Sequence, residues 1–200
     1  MVKLYYISVL HKNDNNRVIN LNSASELSSF GFYQRNSVLE FMKFTAKVCV
    51  ERSVKATRFS IKQQEYLCHV YVRSDGLSGV IISDHEYPHR VAHTLCGRVL
   101  AEFAETVPSH SWPTTLDNSA PFTALEPYLT KYQNPRETDA MTTIREDLDE
   151  TKIIVHNTIT SILQRGEQLD TLVSKSEDLS SQSKVFYKTA RKTNQCCHLL

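Results

Sequence analysis

Ile162-Leu163-Gln164-Arg165-Gly166-Glu167-Gln168-Leu169-Asp170-Thr171-Leu172 is the stretch on which the reading of the chain turns. Ile162, Leu169 and Leu172 lie on the alternating three- and four-residue steps of a heptad seam, and Arg165 stands where that seam calls for leucine or valine. The same steps continue forward through Ser176, Leu179, Ser183, Phe186, Ala190 and Thr193, and backward through Thr158, Val155, Thr151, Leu148, Ile144 and Met141. Ten of the sixteen positions are apolar, five carry small hydroxyls, and Arg165 completes the set. The pattern predicts a helix on the order of 80 Å long, beyond what a small domain can cover. A helix cannot bury such a seam alone, so it must join other helices or fold back on the domain before it. The hydroxyl positions suit a thick bundle built with helices of different sequence. A buried guanidinium demands acceptors from its partners and so marks the register. On periodicity alone, an ordinary coiled coil with one tolerated charge remains the alternative.

The end of the chain narrows the choice. Cys197-His198-Leu199-Leu200 has the Cys-a-a-X form, in which the Cys197 thiolate takes an isoprenoid, and a terminal leucine favours geranylgeranyl. His198 is a poor match to an aliphatic position. Cys196 is a candidate for reversible palmitoylation, and two lipid chains anchor stably where one does so marginally. Lys184, Lys188, Arg191 and Lys192 precede them, either facing anionic headgroups or serving as cations at a solvated helix C-terminus.

Upstream, the pattern is that of one α+β layer. Val2 to Leu10 is apolar on both alternating faces, Lys12 to Asn16 is a turn, and Arg17 to Leu21 returns as a second strand. Ser37 and Glu40 have capping-box spacing ahead of a helix running to about Arg52, with Val38, Phe41, Met42, Val48 and Cys49 on its apolar face. Thr57, Phe59 and Ile61 alternate with polar residues, followed by strands over Tyr66 to Arg73 and Gly79 to Ser83. Pro88 opens a helix striped by Val91, Leu95, Cys96, Val99, Leu100, Phe103 and Val107. A proline-punctuated loop carries Trp112, and Pro127 opens a last short helix.

Several function classes drop out. Lys and Arg number 23 against 22 Asp and Glu, giving a net charge of +1 and no concentrated basic face for nucleic acid. The five glycines form no phosphate-cradling Gly-x-x-x-x-Gly-Lys-Ser/Thr loop, which excludes a small GTPase. His85, His89 and His93 lack the carboxylate or cysteine partners of a metal centre, no nucleophile elbow is present, and no catalytic set emerges. The N-terminus reads as a strand rather than a signal peptide, no stretch approaches the ~20 apolar residues of a membrane span, and Cys49, Cys68 and Cys96 are scattered singly; a cytosol-facing protein is expected.

Together these residues resemble the prenylated longin R-SNARE family, the lipid-anchored synaptobrevin homologues. The likeness covers the whole chain and is dense in Gly31-Phe32-Tyr33-Gln34-Arg35, Tyr66-Leu67-Cys68-His69-Val70-Tyr71-Val72-Arg73, Tyr132-Gln133-Asn134-Pro135-Arg136-Glu137 and Leu148-Asp149-Glu150-Thr151-Lys152. It implies a longin (profilin-like) domain over 1–133, with a five-stranded antiparallel sheet flanked by helices. A linker at 134–140, a long R-SNARE coiled-coil helix at 141–194 and a lipidated tail at 195–200 follow. It further implies a bundle with three glutamine SNARE helices, in which Arg165 is the ionic layer. The membrane would be reached through the lipid anchor, with no cofactor beyond the covalent isoprenoid and palmitoyl groups. In the family's closed form the SNARE segment covers its own longin domain and the prenyl group lies in an apolar groove, for which Phe41 and Phe44 are candidates against plain core packing. The implied setting is Golgi, endosomal, vacuolar or lysosomal and autophagosomal traffic. Gly97 and His93 depart from the family pattern, as does the His198-Leu199-Leu200 ending. A lipid-anchored regulator or adaptor that does not drive fusion is the competing reading.

Overall fold

The computed structural model describes residues 3–63, 65–135 and 153–196, with side chains through 191. Strands β1 (Leu4–Lys12) and β2 (Val18–Ser25) form an antiparallel hairpin, and helix α1 (Arg35–Glu51) follows. Strands β3 (Thr57–Gln63), β4 (Tyr66–Val72) and β5 (Leu77–Asp84) make an antiparallel meander, then come α2 (His89–Thr106) and the short α3 (Leu125–Lys131). The sheet order is β2-β1-β5-β4-β3, closed at one side by a sixth strand described below.

The apolar residues on both faces of β1 follow from its central place in that order. Ile7 and Val9 pack with Leu95, Val99 and Phe103 of α2, whereas Tyr6 and Leu10 pack with Val38, Met42 and Cys49 of α1. A register shift between Leu4 and Tyr6 lets Leu4 share the α2 face with Ile7. Each fully buried large side chain here is worth roughly 1.5–3 kcal/mol, and the sheet carries such side chains in a core on each face.

Three local expectations change. α1 starts at Arg35, ahead of Ser37, with Gln34 at its N-cap and no side-chain cap, so the Ser37–Glu40 capping box does not form. Ser37 is buried within the first turn, and Glu40 instead accepts a 2.9 Å hydrogen bond from the Ser180 N–H. Pro88 is the N-cap of α2 rather than its first helical residue, and Pro127 lies inside the first turn of α3. Trp112 sits in a 3-10 turn, Ser109–Thr114, where its indole N–H donates to the Val107 carbonyl at 3.1 Å.

The largest difference lies in the heptad segment. Its described part, 153–196, is not one continuous helix. Ile154–His156 adds to the sheet as β6, parallel to β3, making a six-stranded mixed sheet. A 3-10 turn (Ile159–Ile162), α4 (Leu169–Lys175) and α5 (Ser181–Cys196) follow. Gly166 makes the turn between them with φ +87°, a conformation glycine adopts without strain. The physical reason is the one that made a lone seam implausible. With no partner helix to pack on, the segment breaks where it must to lay its apolar residues on its own domain. Among the described residues, no helix is long and apolar enough to cross a membrane.

A buried polar network lies on the α2 side. The Ser60 hydroxyl lies 2.9 Å from His69 Nδ1 and 3.0 Å from His93 Nε2, while His69 Nε2 lies 3.2 Å from the Ser83 hydroxyl. Burial, with Arg58 and His89 adding, lowers the pKa of His93 to about 4; burial, with His93 and His89 adding, takes His69 well below its usual value. His85 is apart from them, with Nδ1 3.8 Å from a Glu65 carboxylate oxygen, and no metal-holding group occurs among the described residues.

Two stability predictions follow from these sites. Both histidines fold neutral, so the unfolded chain takes up protons first as pH drops below ~6.5, and stability falls by about 1.4 kcal/mol per pH unit for each histidine that stays neutral. The His93 part of that loss levels off near pH 4, where its folded form also protonates; chemical denaturation across this range reads the slope, which His93→Phe should flatten. A Cβ built on Gly97 meets nothing within 4 Å, so Gly97→Ala should stabilise the protein by roughly 0.5–1 kcal/mol in the same assay.

Candidate functional site: the groove under the folded-back segment

The outer face of α1 and the β3–β4 edge form two walls of a groove, and the 3-10 turn, α4 and α5 close it. Its cavity measures about 730 Å³ and is lined mainly by Phe30, Val38, Phe41, Met42, Tyr66, Cys68, Ile159, Leu169, Phe186, Tyr187 and Ala190. The aromatic rings make the walls. Phe41 of α1 stacks on Tyr187 of α5 with centroids 5.2 Å apart, and Tyr5 meets Phe30 and Tyr66 edge-on at 5.5 and 5.6 Å. Phe44 lies behind Phe41, centroids 6.0 Å apart, buried in the α1 core rather than lining the cavity. At the far rim, Tyr187 donates its hydroxyl proton to Asp170 at 2.8 Å, and Arg191 pairs with the same carboxylate, tying α5 to α4.

Polar contacts fasten the segment along its length. Arg52, at the C-cap of α1, grips Glu167 through two hydrogen bonds of 2.9 and 2.8 Å, a fork that fits a carboxylate. The guanidinium, helped by the Gln164 N–H, holds the Glu167 carboxyl below its usual pKa. Lys47 pairs with Asp178, and Glu40 accepts from Ser180 at the entry to α5. The apolar anchors are Ile159, Val173 and Leu179, each buried in the α1 core.

The expected layer residues fall in unlike places. Val155 is exposed on β6, Thr158 caps the 3-10 turn through its side chain, and Arg165 is exposed at the turn before Gly166. Ile162, Leu169 and Leu172 are half-buried against the core, while Leu179 and Ser183 are buried and Phe186 and Ala190 line the groove. Ser176 is half-buried between α4 and α5. Met141, Ile144, Leu148, Thr151 and Cys197 lie outside the described residues, and for Thr193 and Cys196 only the helical backbone of α5 is described.

Sequence reasoning overlooked Arg52, Glu167 and Asp170 as contact residues and gave Glu40 a capping role, because each one's partner lies 17 to 140 residues away and leaves no local signal. It also overlooked Ile159, Leu163, Val173 and Tyr187. A signal for those was present: each directly follows a layer position, Thr158, Ile162, Leu172 or Phe186, so a second apolar stripe runs beside the first.

A two-sided sheet of this topology, continued by a C-terminal segment that carries a heptad seam with a central arginine, defines a longin domain joined to a SNARE segment. Comparison with known families agrees: the regulated-SNARE-like (longin) domain matches residues 27–129 and the synaptobrevin family matches residues 140–198. The chain belongs to the longin-type R-SNARE family, a non-enzymatic family of vesicle trafficking. It is 45% identical over 201 residues to the "Synaptobrevin homolog YKT6" of Yarrowia lipolytica, spanning all of both chains. It is 47% identical over 196 residues to the Schizosaccharomyces pombe homologue, spanning 98% of each, and 46% identical over 201 residues to that of Eremothecium gossypii, again over the full length of both.

Because the Arg52–Glu167 fork holds the turn on which Arg165 stands, Arg52→Ala should release residues 164–172 first. Hydrogen exchange of that stretch should rise severalfold while the β1, β4 and β5 amides keep their protection.

Proposed function

We propose that the chain is an R-SNARE that joins three glutamine SNARE helices in a four-helix bundle and drives intracellular membrane fusion, and that the folded-back arrangement is its restrained form. The observation that carries this reading is the fate of Leu179, Ser183, Phe186 and Ala190. Leu179 packs in the α1 core, Phe186 and Ala190 line the groove and Ser183 is buried, so they cannot at the same time face other helices. Arg165 needs no release from the core, being already exposed, and in the bundle it would meet the three glutamines as the ionic layer. The unit boundaries carried by this reading are a longin domain at 1–133, a linker at 134–140, the R-SNARE motif at 141–194 and the lipidated tail at 195–200.

Anchoring falls to the tail, with an isoprenoid on Cys197 and a palmitoyl group on Cys196. The groove is the natural shelter for such a chain: it is apolar and aromatic, its volume falls in the roughly 300–1,000 Å³ range of ligand cavities, and α5, which ends at Cys196, forms one of its walls. The restrained form would then be cytosolic, and the released form would sit on the cytoplasmic face of Golgi, endosomal, vacuolar or lysosomal and autophagosomal membranes.

The test is reconstitution with three glutamine SNARE helices. An SDS-resistant complex is expected, weakened by Arg165→Asp. Phe41→Ala removes the ring that stacks on Tyr187, on the order of 1–2 kcal/mol of docking energy, and should speed assembly about tenfold. Failure of every glutamine set to assemble with the wild-type chain and with Phe41→Ala alike would favour the non-fusogenic regulator.

A further inference from the structure

Beneath the α1 wall of the groove, two thiols from different elements meet. Cys49 of α1 and Cys68 of β4 are both free and buried, with their sulfurs 3.9 Å apart. Cys68 is also part of the groove lining, whereas Cys49 lies deeper, in the α1 core. A disulfide needs the sulfurs at about 2.05 Å, so closure asks for an approach of about 2 Å shared by two side chains. Cys96 is separate, in the α2 core on the opposite face of the sheet.

We propose that Cys49 and Cys68 form a peroxide-oxidisable dithiol, Cys68 being oxidised first from the groove and Cys49 resolving it, and that an apolar chain filling the groove shields the pair. The shielding half rests on the groove reading given above. In the first step the Cys68 sulfur attacks hydrogen peroxide and the O–O bond breaks. The leaving hydroxide takes the thiol proton as water, and Cys68 becomes a sulfenic acid. In the second step the Cys49 sulfur attacks that of Cys68, the S–O bond breaks, and the hydroxide leaves with the Cys49 proton as a second water. Two thiols lose two hydrogens and one peroxide is reduced to two waters.

The order of attack follows from position. Peroxide is small enough for the groove, and the groove reaches Cys68. Cys49 is held as a thiol, its pKa raised well above the ordinary value by the Cys68 hydrogen bond and by burial, and this makes the resolving step slow. Disulfides in cytosolic proteins are chiefly of this transient, redox-sensing kind. Once closed, the bond ties α1 to the sheet and stiffens the surface on which α5 lies.

The experiment uses the full chain made in bacteria with Cys196→Ser and Cys197→Ser, which silence the tail thiols. After treatment with millimolar hydrogen peroxide, intact mass should fall by about 2 Da for the two hydrogens lost. Non-reducing peptide mapping should join the Cys49 and Cys68 peptides, and dithiothreitol should undo the link. Cys49→Val, a small apolar replacement that keeps the core filled, should leave Cys68 as a sulfenic acid trapped by dimedone. Free thiols at both positions after methionines in the same sample have oxidised, or a link made through Cys96, would overturn the dithiol. Preloading with geranylgeraniol should slow the mass loss severalfold. An unchanged rate despite measured binding of geranylgeraniol would overturn the shielding. Absence of binding would overturn the groove reading and leave the dithiol result standing.

Discussion

One apolar stripe with two possible partners is the constraint on which the rest of this structure depends. The segment from 153 to 196 carries leucines, isoleucines and a phenylalanine at helical spacing, and water is a poor neighbour for all of them. α1 offers what the segment lacks, an outer face with Phe41 and Met42 that the sheet leaves uncovered. The domain and the segment therefore solve each other's exposure. In the proposed bundle the same residues would be needed, so the two arrangements would exclude each other by geometry.

How the segment breaks is set by where polar groups can be satisfied. A continuous helix across α1 would carry all its apolar residues along one straight line, but the domain presents an edge strand, then a helix face, at different angles. β6 satisfies the open edge of β3, which otherwise leaves its amides and carbonyls unpaired. Gly166 allows the change of direction, Arg52 fixes Glu167 just past it, and Glu40 supplies an acceptor for the Ser180 N–H at the entry to α5. The apolar anchors Ile159, Val173 and Leu179 supply the burial, and the polar contacts fix the segment's direction and register on α1.

Much of the longin domain was legible because its signals are local. The alternation at Thr57, Phe59 and Ile61 and the stripe from Val91 to Val107 report faces buried by neighbouring elements, and the strands and helix lie where those patterns place them. Boundaries were less legible. Ser37 and Glu40 have the spacing of a cap, yet the chain reaches helical geometry at Arg35 because Phe32 to Gln34 already form a 3-10 turn, and Glu40 is then spent on a distant amide. In the candidate site, Phe41 is on the groove wall and Phe44 is one layer behind it, a distinction that helical spacing alone cannot draw.

The amino-acid sequence by itself determined the two-faced sheet, the helix stripes, the heptad seam with Arg165 in it, and the terminal cysteines, because periodicity and short motifs are properties of neighbours in the chain. Only the tertiary structure decided that the seam is folded back in pieces, that Ile159, Val173 and Tyr187 anchor it, and that Cys49 lies beside Cys68 over a groove. Those outcomes depend on which surfaces meet in space, across 115 residues where Arg52 meets Glu167 and across a helix and two strands where Cys49 meets Cys68, and no local pattern encodes such a meeting.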